Sequence, residues 1–87
     1  MKFQGSVVKE QGVTFAITIV KPHVLNSDAT ANETILGFAR FFPGIPVVLM
    51  AQDSRGTPTY YGRKDIVGFL SKIDYRRIPW KEYTAAA

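Results

Sequence analysis

Between residues 13 and 20, Val13, Phe15, Ile17 and Ile19 alternate with Thr14, Ala16, Thr18 and Val20. A period of two rich in β-branched residues predicts a strand. Preceded by Lys2 to Lys9 and by Glu10-Gln11-Gly12, it predicts a β-hairpin over residues 2–21. A two-residue loop would set polar Ser6 opposite Ile17 and Gln4 opposite Ile19. A three-residue loop instead pairs Lys9 with Val13, Val7 with Phe15, Gly5 with Ile17 and Phe3 with Ile19, gathering the apolar side chains on one face. It also puts Gly12 at the left-handed position such loops need. The three-residue loop is therefore the expected register.

Pro22 ends the second strand, having no N–H to donate to a ladder. His23 to Ala29 reads as a loop, and Thr30-Ala31-Asn32-Glu33 fits a capping box at a helix start. That helix buries Ile35, Phe38, Ala39 and Phe42, is weakened at Gly37 and stops at Pro43-Gly44. Pro46 to Ala51 is apolar throughout, as in a strand covered on both faces. Gln52 to Gly56 is a polar turn in which Asp53 caps its own backbone, and Thr57 to Tyr61 is a short strand that Pro58 assigns to a sheet edge. A second helix over 63–73 sets Ile66, Val67, Phe69, Leu70 and Ile73 against Lys64, Asp65, Ser71 and Lys72. Asp74 onward reads as an extended tail kinked by Pro79.

The order is ββαββα, two hairpins each followed by a helix. It predicts an α+β two-layer sandwich with both helices on one sheet face and an extended C-terminal tail. At 87 residues this is one domain, a core over 1–74 and a basic aromatic tail over 75–87. Strand order does not follow from the pattern.

The run Gly44-Ile45-Pro46-Val47-Val48-Leu49-Met50-Ala51, its turn and short strand, and the helix Asp65-Ile66-Val67-Gly68-Phe69-Leu70 resemble the second half of a thioredoxin domain. The resemblance implies a related hairpin-plus-helix and makes Pro46 a cis candidate. It implies no activity, because the chain holds no cysteine and hence no C-x-x-C motif.

Hydrophobic content of 46% with 21% charged residues belongs to a folded chain. Zero cysteines exclude disulfides and thiolate metal sites. The apolar run Ile45 to Ala51 is too short to span a bilayer, and the first residues lack a signal-peptide core, so a cytoplasmic protein without membrane contact is expected.

Charge changes the picture more. The net charge is +4, and residues 1–53 contribute none of it: Lys2, Lys9, Lys21 and Arg40 balance Glu10, Asp28, Glu33 and Asp53. Residues 54–87 hold Arg55, Arg63, Lys64, Lys72, Arg76, Arg77 and Lys81 against Asp65, Asp74 and Glu82. Most Phe lie in the neutral part, whereas all four Tyr and Trp80 lie in the basic part. Phe suits a core; Tyr and Trp suit boundaries that are apolar on one side and wet on the other.

That asymmetry nominates a surface. Arg63 and Lys64 at a helix start, with Arg55 and Tyr60 or Tyr61 beside them, form a candidate anion site. Tyr75-Arg76-Arg77-Ile78-Pro79-Trp80-Lys81-Glu82-Tyr83 interleaves cations with flat rings, the mixture that single-stranded nucleic acid takes. Against this, Ile78 and Trp80 can cover this chain's own core or a sister subunit while Arg76 and Arg77 face water. Asp53-Ser54 and the lone His23 do not make a triad, no metal-ligand spacing or phosphate loop occurs, and no cofactor is expected.

Two readings of different class follow. One is a non-enzymatic module, a homodimer or larger, contacting nucleic acid or another anionic partner through Arg55, Tyr60, Tyr61, Arg63, Lys64, Arg76, Arg77, Trp80 and Lys81. The other is a homo-oligomeric (dimeric or larger) interaction protein, or a small-ligand protein, in which the same aromatics build an interface or apolar pocket.

Overall fold

The computed structural model describes residues 2–84. Their elements run β1 (Lys2–Glu10), β2 (Val13–Ile19), α1 (Asp28–Ala39), β3 (Val47–Gln52), β4 (Pro58–Tyr61), α2 (Lys64–Leu70) and β5 (Lys81–Thr84). Short 3-10 helices at Pro22–Asn26 and Tyr75–Arg77 link them. The chain is a small α+β domain: among the described residues, five strands form one mixed sheet of order β4-β3-β2-β1-β5. β2 and β3 are parallel, which requires the long crossover that carries α1, and the other neighbours are antiparallel.

The first hairpin turns through two residues, not three. Glu10 pairs with Val13, and Gln11 (φ 51°) and Gly12 (φ 79°) are both left-handed, the requirement of a type I′ turn. Ser6 therefore sits opposite Ile17 and Val8 opposite Phe15, the register that the sequence pattern disfavoured. The reason lies in the layers. The expectation of one buried face penalised Ser6 against Ile17, whereas the central strands are covered on both faces and Ser6 is itself only 2% exposed.

Alternation splits the core accordingly. Ala16, Val47 and Leu49 pack with Phe3, Ala31, Phe38 and Phe42 under α1. Phe15, Ile17, Val48 and Met50 pack with Ile66, Leu70 and Ile78 under α2. The helices thus occupy opposite sheet faces, which corrects the two-layer expectation to three layers.

Three boundaries also differ. α1 starts at Asp28 because Ser27 is the cap: its Oγ accepts from the Thr30 N–H at 3.1 Å, a role the sequence pattern assigned to Thr30. The second helix is the seven residues Lys64–Leu70, shorter than 63–73. Finally, the tail is not simply extended. Residues 75–77 form a helical turn, Ile78 is buried against the α2-side core, and Lys81–Thr84 add a fifth strand onto β1. Residues 85–87 of the predicted tail lie outside the described residues. The β3–β4 hairpin and following helix implied by the thioredoxin resemblance do form, but no described peptide bond is cis, the one before Pro46 included.

Candidate functional site

The sheet distributes the nine nominated residues instead of gathering them. Arg55 lies in the β3–β4 turn, where Asp53 Oδ1 accepts from the N–H groups of Arg55 (2.8 Å) and Thr57 (2.9 Å). The expected self-capped turn thus forms and leaves the Arg55 side chain exposed. Lys81 opens β5, at the opposite edge. Four strand spacings separate β4 from β5, about 19 Å.

Tyr60 and Tyr61 are adjacent in β4, so alternation sends them to opposite faces. Tyr60 packs with the α2-side core, and its hydroxyl is enclosed without a hydrogen-bond partner. Burial raises its pKa, with Tyr75 and Asp74 adding to the effect. Tyr61 packs with the α1-side core, and its hydroxyl donates toward Asp28 Oδ1 (3.3 Å) and Asn32 Oδ1 (3.4 Å). Its pKa is raised as well, by desolvation first and by Asp28 second.

Two of the cations are already engaged. Arg63 donates through Nε and Nη2 to both Asp65 oxygens at 2.7 and 2.6 Å. Arg76 holds Asp74 the same way at 3.0 and 2.9 Å. These forked hydrogen bonds hold each carboxylate down at a pKa of about 2. Asp74 also caps the helical turn, accepting from the Arg76 N–H at 3.0 Å. α2 has seven residues and no capping side chain, and the Arg63–Asp65 pair at its start offsets the charge expected to attract an anion.

Trp80 is part of the fold. The half-buried indole packs on the α2-side core and donates from Nε1 to the Tyr75 carbonyl at 3.0 Å. Tyr83 stacks on Phe3, with centroids 5.1 Å apart and planes 10° apart. Arg55, Lys64, Lys72, Arg77 and Lys81 remain without an ion-pair partner among the described residues.

A feature the sequence reading passed over is the upper half of β1. β1 runs from Lys2 to Glu10, yet β5 covers only Lys2 to Gly5. In a two-residue hairpin the residues flanking the turn exchange both hydrogen bonds. Glu10, Val8 and Ser6 therefore bond toward β2, and the N–H and C=O groups of Val7 and Lys9 face the open edge. Val7 is 47% exposed. On the same sheet face, Phe41 is 43% exposed and lies 5.5 Å from Phe3, centroid to centroid. The signal in the sequence was a nine-residue strand beside a partner too short to cover it, visible only once the tail is known to be a strand.

Among the described residues no three His, Asp or Glu side chains come together as a metal site, and no helix is long and apolar enough to cross a membrane. No protein family, curated protein or solved structure matches the chain.

Proposed function

We propose that the protein is a non-enzymatic interaction module that takes an extended segment of a partner onto the open half of β1. One observation carries the reading: the backbone N–H and C=O groups of Val7 and Lys9 face outward on a strand that β5 leaves uncovered, beside an exposed Val7. An added strand would satisfy these four groups and cover Val7, the mode in which backbone hydrogen bonds supply affinity and alternate side chains supply specificity. The opposite edge is less suited, because Pro58 removes a donor from β4. The aromatic residues that would otherwise stack on bases serve the fold: Trp80 through Tyr75, Tyr83 on Phe3, and Tyr60 and Tyr61 in separate cores.

A pool of strand-forming peptides titrated into isotope-labelled protein, followed by amide NMR, tests this. Shifts and slowed exchange confined to Val7, Lys9 and their neighbours are expected, and Val7→Pro should abolish them while leaving the fold intact. Shifts elsewhere, or none, would overturn it.

The second reading is a surface for nucleic acid or another anion. It draws on Arg55, Lys64, Lys72, Arg77 and Lys81, cations of the basic C-terminal third that have no acidic partner among the described residues. It would hold phosphates without stacking bases. An oligonucleotide added in the same assay at about 50 and 200 mM salt separates the two: amide shifts at Lys64 and Arg77 that collapse at the higher salt would favour this reading.

A further inference from the structure

We infer that the segment taken by the β1 edge is an acidic one, with a carboxylate across from Lys9 and an apolar residue across from Val7; this rests on the edge-binding reading above. Register fixes which side chains such a segment meets. Val7 pairs with Ala16, a member of the α1-side core, and Lys9 pairs with Thr14, so Phe3, Gly5, Val7 and Lys9 share one face. Lys81 stands opposite Gly5 and two residues from Tyr83, which stacks on Phe3, so Lys81 projects from that face too.

An added strand would continue the line of β5 beyond Lys81. It would lie between Lys81 at one end and Lys9 at the other, a rise of about 13 Å along β1 from Gly5. Both ammonium groups are exposed, and neither has an ion-pair partner among the described residues. The nearest acid along the edge, Glu82, alternates to the other face and pairs with Lys2 at 3.8 Å. Glu10 likewise alternates to the other face, beside Val8. The face therefore presents two cations flanking an apolar side chain.

The same charges argue against a second copy of this chain as the occupant. Antiparallel pairing of two β1 edges about Val8 would set Val7 of each against Lys9 of the other. It would also bring Lys9 and Lys81 of both copies onto one sheet face, an unfavourable cross-strand arrangement of like charge. Nucleic acid fits the edge poorly, because alternating backbone donors and acceptors are matched by another strand and not by phosphate, which only accepts.

The test uses three blocked eight-residue peptides Thr-Val-Thr-X-Thr-Val-Thr-X, with X Asp, Thr or Lys, so that Val and X fall two apart on one face as Val7 and Lys9 do, followed at the Val7 and Lys9 amides by NMR. The Asp peptide should bind best, weakening about five- to tenfold in the exposed-site variant Lys9→Glu/Lys81→Glu, the scale of two surface ion pairs. That variant should prefer the Lys peptide. Equal binding of the Asp and Thr peptides would overturn the acidic assignment while leaving edge binding in place. Failure of all three to perturb Val7 and Lys9 would overturn both. Protection of these amides that rises with protein concentration, without peptide, would identify a second copy as the occupant and overturn the inference.

Discussion

The Trp80 indole N–H donates to the Tyr75 backbone carbonyl at 3.0 Å, closing the turn that carries the chain from α2 across the sheet to β5. The bond turns the single tryptophan inward, onto the α2-side core. Trp80→Phe loses the donor and truncates the indole to a smaller ring, so urea unfolding should show a loss of at least about 1 kcal/mol. In the parent protein, Trp80 emission should be blue-shifted and indifferent to added oligonucleotide. Saturable quenching would restore Trp80 to the nucleic-acid reading.

Tyr60 offers the opposite case. Its hydroxyl is enclosed and unpartnered, so Tyr60→Phe should leave stability unchanged or raise it by about 1 kcal/mol in denaturant unfolding. In alkali, Tyr60 should ionise later than an ordinary tyrosine, since burial raises its pKa. The unfolded chain then releases this proton first, so Tyr60 weakens the fold as pH climbs above about 10. Ultraviolet difference titration of the parent and Tyr60→Phe reads both effects.

Asp65 and Asp74, each gripped by an arginine two residues on or before, should titrate near pH 2 in carboxyl NMR spectra, against about 4 for a free aspartate. Because the folded pKa values are depressed, the pairs help the fold fully above about pH 4 and lose that contribution as pH falls through about 2. Arg76→Ala should raise the Asp74 pKa part of the way toward the ordinary range, because the backbone N–H of residue 76 still donates to it, and leave Asp65 unmoved.

Gly62 leaves β4 at φ +155°, and a Cβ built there would stand 2.9 Å from Val48 Cγ2 and 3.2 Å from its Cα. Gly62→Ala should therefore cost about 1–3 kcal/mol in thermal or denaturant unfolding, through backbone strain and overpacking against β3.

Gln11 holds a left-handed conformation that costs a residue of its kind about 1–2 kcal/mol and an asparagine less. Gln11→Asn should thus raise stability, by roughly 0.5–1 kcal/mol. A loss would contradict the two-residue turn.

Much of the α+β architecture was legible because local rules carry it. The unbroken apolar run Pro46 to Ala51 announced a strand buried on both sides, and β3 is that strand. Pro58 marked β4 as an edge, and Asp53 marked its own turn. Ile66 and Leu70, one helical turn apart, marked the buried side of α2. The nominated site was less legible. Cations and aromatics adjacent in sequence pointed to one surface, yet alternation in β4 parts Tyr60 from Tyr61, and short-range pairing with Asp65 and Asp74 engages Arg63 and Arg76.

What the sequence by itself determined are properties set within a few residues: strand or helix period, the turn at Asp53, the proline at an edge. What only the tertiary structure decided is which face each period serves. A one-residue slip in the first hairpin moves every side chain of β1 to the other face, and the choice between loops rests on whether one face or two are covered. That depends on α1 and α2 settling on opposite sides of the sheet, through contacts between residues dozens of positions apart such as Phe3 with Phe38 and Phe15 with Phe69. The same long-range pairing makes Lys81–Thr84 a strand against Lys2–Gly5, and by stopping there leaves Val7 and Lys9 at an open edge.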